Sequence, residues 1–400
     1  MSDFPPFAPT STQYDFSQLA YANGAPLLQG VMRSEPDDFQ VVELNSFTLS
    51  GEGEHLWCWV EKRGENSDWV AKELAKWAGI SRRNVGVAGQ KDRHAVTQQW
   101  FSLHLPGQAD PDLAQWMHDS VKILRTVRHN RKLQTGGLSG NRFILRLRNL
   151  SAEQEPMSVL IDLQRRLNRI AQQGIPNYFG PQRFGHNGNN LSKGLKELQE
   201  NRRLPKHKRS LYLSALRSWP FNLWLSWRVQ NDVWKKLFTG DVLNLQGSSK
   251  WFVEDGSEGL QQRIDEGDLH ITGPMIGEGE CQSSAEVKVL ESLVGSSFED
   301  FLQVLVNQRV KVDRRPLSLL PLNLIGQFIE CEAQTPSYQE LVKIHTESKN
   351  NSQTYPHSNP LQQLDLMLSF DLPAGSYATM VLRELIDYRE PDFRTGAATQ

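Results

Sequence analysis

Asp92 is a single carboxylate set among cations in the run Gly89-Gln90-Lys91-Asp92-Arg93-His94-Ala95-Val96-Thr97. Neighbouring positive charge favours the anionic form of a carboxyl, and an anion held in this way can attack carbon or take a proton. The ordinary reading of such a charged tetrapeptide is a solvated turn, here ahead of a strand at 99–103. No other chemistry is spelled out as plainly. The chain has no strand-linked G-x-G-x-x-G, no G-x-x-x-x-G-K-[ST] and no H-E-x-x-H. Cys58, Cys281 and Cys331 are too far apart for a metal-ligand pair and too few for a disulfide framework, which fits a reducing cytoplasm. The expected metal and cofactor content is none.

The elements that must position Asp92 are legible from periodicity. Apolar or alternating patterns predict strands at 39–44, 56–61, 99–103, 122–127, 142–148 and 365–371. In the fifth of these, Phe143, Leu145 and Leu147 share one face and Arg142, Arg146 and Arg148 the other, predicting a strand apolar on one side and cationic on the opposite side. Ser67-Asp68 reads as a helix start, with Val70, Leu74 and Trp77 at helical spacing and Gly79 as the stop. Leu160, Leu163, Leu167 and Ile170 make a second helix. Interleaved helices and strands predict an α+β core whose mostly antiparallel sheet has one open face.

Beyond Gly174 the texture changes. Trp219, Phe221, Trp224, Trp227, Trp234 and Phe238 fall at helical spacing and are assigned mostly to a core. Segments 285–293 and 298–306 read as helices separated by Gly295-Ser296-Ser297. The polar stretch 334–363 reads as a surface excursion or disordered loop.

Four hundred residues, 38% hydrophobic and 22% charged, suit a folded protein of two or three domains. The polar start of the chain does not read as a signal peptide, and no apolar run approaches the length of a membrane span. The formal net charge of −2 hides a strong segregation by sign. Eight cations and no acid lie between 121 and 148, and six cations and no acid between 202 and 217; removing these fourteen leaves −16 on the rest. That pattern permits a basic groove able to meet phosphates.

The segment 88–97 resembles the catalytic-aspartate motif of the pseudouridine synthase D (TruD) family. Three further segments resemble that family in the same order. They are Pro36-Asp37-Asp38-Phe39-Gln40-Val41-Val42-Glu43, the run from Gly174 through Asn177-Tyr178-Phe179-Gly180-Pro181-Gln182-Arg183-Phe184-Gly185, and Leu372-Pro373-Ala374-Gly375-Ser376-Tyr377-Ala378-Thr379 followed by Arg383-Glu384-Leu385. The resemblance covers the chain from about residue 28.

What the resemblance implies is specific. The fold would be a pseudouridine-synthase-type, mostly antiparallel sheet with flanking helices plus an inserted second α/β domain. A 1–27 N-terminal extension would precede a discontinuous catalytic domain, 28–173 and 321–400, interrupted by an inserted domain at 174–320. The activity would be isomerisation of uridine to pseudouridine in transfer RNA, with uridine 13 of the D arm as the usual target. The base must leave its stack to be reached. Asp92 takes the place of the catalytic aspartate, and its chemical role stays open among C1′ attack, C6 addition and C2′ deprotonation. Phe39 matches an aromatic of the uridine pocket, and Asn141 a substrate-contacting amide. Tyr377 stands where the family has Phe, so a hydroxyl is added that needs a partner if buried. Phe143 lines the same pocket or packs beneath it. Arg383 resembles the basic residue of an R-x-L element that pairs with the aspartate. The central signature around 177–185 is expected to be structural. The expected partner is transfer RNA, with no membrane and no obligatory protein partner, as a cytoplasmic monomer.

Two other classes compete. A nucleoside glycosidase would also act at an anomeric carbon but needs a second carboxyl across the bond, for which Glu43, Glu54 and Glu384 are available. An RNA-binding protein or chaperone would keep the basic groove without turnover.

Overall fold

A computed structural model describes residues 13–45, 47–248, 250–350 and 361–391. They form two compact units. One comprises Pro26–Asn168, Pro321–Gly375 and the described residues from Leu385; the other comprises the described residues through Ala25, Arg169–Leu320 and Ser376–Glu384.

The first unit opens with seven strands, β1 (Leu28–Met32), β2 (Phe39–Leu44), β3 (His55–Arg63), β4 (Val85–Val87), β5 (Val96–His104), β6 (Val121–His129) and β7 (Gly140–Ser151). Helix α1 (Ser67–Trp77) follows β3. It starts at Ser67, where the Ser67-Asp68 signal places it, and the Asn66 side chain accepts from the Asp68 amide and serves as the cap. Eleven residues are too few to hold a helix in water unaided. Burial of Val70, Ala71 and Leu74 against Cys58, Val60 and Phe101 supplies the missing stabilisation. Helix α2 (Pro156–Gln173) carries Leu160, Leu163, Leu167 and Ile170 on its buried stripe, and the division between the units falls within it.

The second unit contains β8 (Ile175–Pro176), α3 (Asn189–Gln199), α4 (Lys206–Gln230), β9 (Val242–Leu245), β10 (Trp251–Val253), α5 (Leu260–Asp265), β11 (Leu269–Met275), α6 (Ala285–Ser297), α7 (Glu299–Asn307), β12 (Asp313–Pro316) and β13 (Ser318–Leu319). Strands β10-β9-β11-β12 form an antiparallel sheet, and β13 pairs with β8. Trp219, Phe221, Trp224, Trp227, Trp234 and Phe238 are all buried, so this aromatic stripe is core. Helix α6 runs through the Gly295-Ser296-Ser297 stretch read as a separator, and α7 begins directly after Phe298. Part of the 177–185 signature is locked into this core. The Asn222 amide donates to and accepts from the Phe179 backbone, the Asn177 amide donates to the Pro316 carbonyl, and the Tyr178 hydroxyl donates to the Ala20 carbonyl.

The chain then adds β14 (Leu322–Glu330), α8 (Tyr338–Asn350) and β15 (Leu364–Pro373) to the first unit, α9 (Ala378–Arg383) to the second, and β16 (Ile386–Arg389) to the first. The large sheet has the order β14-β15-β7-β2-β5-β3-β6, with β1 pairing both β7 and β16 and β4 pairing β5. Its pairs are antiparallel except β2 with β5 and β1 with β16.

Two expectations are corrected here. The polar stretch read as an excursion or disordered loop contains α8, while its 351–360 segment lies outside the described residues. Tyr338 and Leu341 of α8 pack on Ile144 and Met367, so this part of the sheet face is covered rather than open. The cationic side of β7 lies on that covered face and is neutralised. Arg142 forms a two-point pair with Asp371, Arg146 is 2% exposed and pairs with Asp365, and Arg148 pairs with Asp38. A buried charge is costly unless paired and hydrogen-bonded, and the alternation of β7 reveals the cations without revealing their partners on other strands.

Candidate active site

Parallel pairing of β2 and β5, with Gln40 opposite Val96, brings Phe39 and the segment entering β5 to the same end of these strands. Antiparallel pairing of β2 with β7 sets Phe39 opposite Leu145, Val41 opposite Phe143 and Glu43 opposite Asn141. Paired residues project to one side, so Phe39, Glu43, Asn141 and Phe143 share a face of the sheet. The Phe143 ring meets the Phe39 ring edge-on at 6.2 Å and lies 5.6 Å from Phe370. Phe143 is buried in this aromatic row at 8% exposure.

Asp92 stands on the loop between β4 and β5 with its side chain 54% exposed. Arg33 donates from Nη2 to Asp92 Oδ2 at 2.9 Å. The same guanidinium lies over the Phe39 ring, 3.8 Å from its centroid, so one cation joins the carboxylate to the aromatic. Arg33 sits at φ +62°, a left-handed conformation costing a side-chain-bearing residue about 1–2 kcal/mol, and these contacts help hold it there. The other carboxylate oxygen has no protein partner among the described residues. It is the atom left available for chemistry.

The loop is fastened from beneath. Lys62 of β3 is fully buried and donates from Nζ to the main-chain carbonyl of Asp92 at 2.7 Å. The Ser67 hydroxyl at the start of α1 donates to Gln99 and accepts from the Lys91 amide, and Gln99 in turn donates to the Gly89 carbonyl. Lys91 turns inward, donating to the Asn141 side-chain oxygen and lying 3.7 Å from the Glu43 carboxylate. Burial pushes the Glu43 carboxyl up and the Lys91 ammonium down, each opposed by the charge of the other. Lys91 therefore points away from the Asp92 carboxylate. Arg93 also turns aside, donating to the Gly64 carbonyl.

Within the first unit the structure thus assembles Asp92, Phe39, Asn141 and Phe143 around one corner of the sheet. Tyr377 and Arg383 belong to the second unit. The Tyr377 hydroxyl accepts from Arg183 at 3.0 and 2.6 Å, which gives it the partner its added oxygen requires. The Arg383 guanidinium donates to the Leu19 and Ala20 carbonyls and lies 3.6 Å over the Tyr21 ring. The guanidinium on Asp92 is that of Arg33. Sequence reading passed over Arg33, which lies outside every motif, and over Lys62. For Lys62 a signal existed: Leu56, Cys58, Val60 and Lys62 alternate onto one face, placing a charge at an inward position.

This geometry offers a half-exposed carboxylate, a cation to orient it and an aromatic within reach of that cation. Among the described residues no cluster of His, Cys, Asp or Glu could hold a metal ion. No helix among them is long and apolar enough to cross a membrane.

Comparison with known proteins gives this arrangement its relatives. The chain is 43% identical to a tRNA pseudouridine synthase D of Hydrogenovibrio crunogenus across 94% of its own length and 98% of the relative's. It is 41% identical to the protein of the same name from Aeromonas hydrophila subsp. hydrophila, covering 94% and 96% of the two chains. The fold matches the crystal structure of a Methanosarcina mazei chain described as TruD, with a TM-score of 0.66 at 22% identity over 91% of this chain and 95% of that one. A family model for tRNA pseudouridine synthase D (TruD) matches residues 16–196 and 189–385, bracketing every element that carries Asp92, Phe39 and Asn141, and the chain belongs to that family.

Proposed function

We propose that this protein isomerises uridine 13 in the D arm of transfer RNA to pseudouridine, with Asp92 as the catalytic carboxylate. Family membership supports the reaction class, an intramolecular isomerisation of a tRNA uridine. The observation that carries the assignment of Asp92 is its free carboxylate oxygen beside the stack of Arg33 on Phe39.

The reaction breaks the bond from uracil N1 to ribose C1′, turns the base and forms a bond from C5 to C1′. N1 gains a proton and C5 loses one, so atoms and electrons balance without an oxidant, a reductant or hydrolysis. The target atoms are inaccessible in a folded RNA helix, so the nucleotide must first be everted. Phe39 then offers an apolar face to the uracil ring, and Asn141 an amide able to donate and accept. The Asp92 oxygen acts on C1′, on C6 or on the C2′ proton. Arg33 orients the carboxylate, and a charge-assisted hydrogen bond of this kind is roughly twice as strong as a neutral one. Arg383, through its carbonyl contacts, supports the element that follows Tyr377. We take the protein to act alone in the cytoplasm.

A glycosidase reading is less well supported. Glu43 is engaged by Lys91, Glu54 is paired with His104, and Glu384 is buried and accepts from Asn23, so each available second carboxyl already has a partner. Incubating the protein with unmodified transfer RNA and mapping pseudouridine chemically tests the proposal. The expected result is modification confined to position 13 with no free uracil; released uracil, or unmodified RNA, contradicts it.

A further inference from the structure

We propose that Lys62 is a positioning residue for the isomerisation, an ammonium buried under the Asp92 loop to fix the aspartate through its main-chain carbonyl. The inference rests on the reading of Asp92 given above.

The ammonium is an anomaly by ordinary packing rules. Lys62 is 0% exposed, yet no carboxylate oxygen lies within salt-bridge distance of it among the described residues. Its hydrogen bond goes to the Asp92 carbonyl. Burying a charge without an ion-pair partner is expensive, and evolution ordinarily replaces such a lysine by an apolar residue. The strand itself shows the alternative, since Cys58 and Val60 occupy the two preceding inward positions and pack against α1. Directly across from Lys62, Thr97 leaves its hydroxyl oxygen buried without a hydrogen-bond partner, and Glu43 Oε2 has no hydrogen bond and only the Lys91 ammonium 3.7 Å away. Stability has therefore been given up in several places beneath one loop, as is typical of sites shaped for chemistry rather than packing.

The charged groups that face Lys62 are Asp92 and Lys91 from the loop and Glu65 from the turn into α1. Burial above all, helped by Lys91, pushes the ammonium down to about 8 against Asp92 and Glu65, which hold the proton on. The sign follows. Below pH 8 the charged donor grips the carbonyl; above it a neutral amine remains, with a weaker hydrogen bond and no field on the carboxylate. Because the folded value lies below that of an exposed lysine, Lys62 also lowers stability at neutral pH and stops doing so as pH rises from 8 towards 10.5.

These two consequences separate positioning from structural support. The Lys62→Met variant keeps the apolar stem and removes the charge. Single-turnover conversion of transfer RNA is expected to fall about 10²-fold at pH 7, as for misplacement of a reacting group by about 1 Å. Affinity for transfer RNA should stay within about twofold, and the thermal midpoint should equal or exceed that of the wild type. The wild-type profile should decline above pH 8, and the variant's residual activity should lack that limb. The proposal is overturned if the variant converts uridine within about threefold of the wild-type rate, or if its activity and its thermal midpoint fall together. A wild-type rate that stays flat to pH 9.5 overturns it without any variant. Should the wild type form no pseudouridine at all, the reading of the function fails and this inference fails with it; normal wild-type conversion with an unaffected variant removes this inference alone.

Discussion

At the scale of single residues, the site is organised by side chains whose partners are distant in sequence. Arg33 contacts Asp92 and Phe39 at once, so Arg33→Ala should lower the single-turnover rate about 10²-fold, while Arg33→Lys, which restores charge but not the planar face, should recover part of it. Stability should change by no more than about 1 kcal/mol, because Asp92 is half exposed and its pair is screened by water. The opposite outcome belongs to Arg146, which donates to Asp365, Thr335 and the carbonyls of Cys331 and Ala333 while nearly fully buried. Arg146→Met strands a buried carboxylate and should cost about 3–5 kcal/mol in a denaturant titration, without affecting the affinity of the remaining folded protein for RNA. Asp92, Phe39 and Asn141 were legible as motif positions. Arg33 was not, because nothing in its neighbours announces a contact made 59 positions away.

At the scale of elements, register does the positioning. Asn141 follows Gly140 at the start of β7, where a Cβ would strike the Leu372 carbonyl of β15. Gly140→Ala should therefore displace Asn141 and destabilise the sheet by about 1–3 kcal/mol, checked by denaturant unfolding alongside the conversion rate. A second consequence of register is the row formed by His104, His55 and His129 across β5, β3 and β6, in which the His55 and His104 rings stack 4.7 Å apart. Burial first, then nearby cations, lowers the proton affinity of His55 and His129. The unfolded chain takes these protons near pH 6.5 and the fold resists them, so stability is complete above that pH and declines as pH falls below it. The loss of thermal midpoint between pH 7.5 and 5.5 should be smaller in His55→Gln than in the wild type. The strands themselves were readable, since alternation placed 39–44 correctly to the residue. Their pairing was not: parallel β2 with β5 and the covering of β7 by α8 depend on contacts between segments far apart, and α8 lies in a polar stretch with only a weak apolar stripe to betray it.

At the scale of the whole molecule, charge segregation in sequence overstates the free positive surface. Arg128, Arg142, Arg146, Arg148, Arg202 and Lys208 all find carboxylates in the fold. Lys122 and Arg125, exposed on the sheet-edge strand β6, carry no carboxylate partner among the described residues. Replacing both with Gln should weaken RNA binding and flatten its dependence on log salt by up to about one unit per lost phosphate contact, whereas Arg142→Gln should leave that slope unchanged. The most direct test of the account is single-turnover conversion of unmodified transfer RNA by the wild type and by Asp92→Asn, with RNA affinity measured in parallel. The account predicts pseudouridine at position 13 with the wild type, a loss of at least about 10²–10⁴-fold with the variant, and equal binding by both. Conversion by Asp92→Asn at the wild-type rate would contradict it.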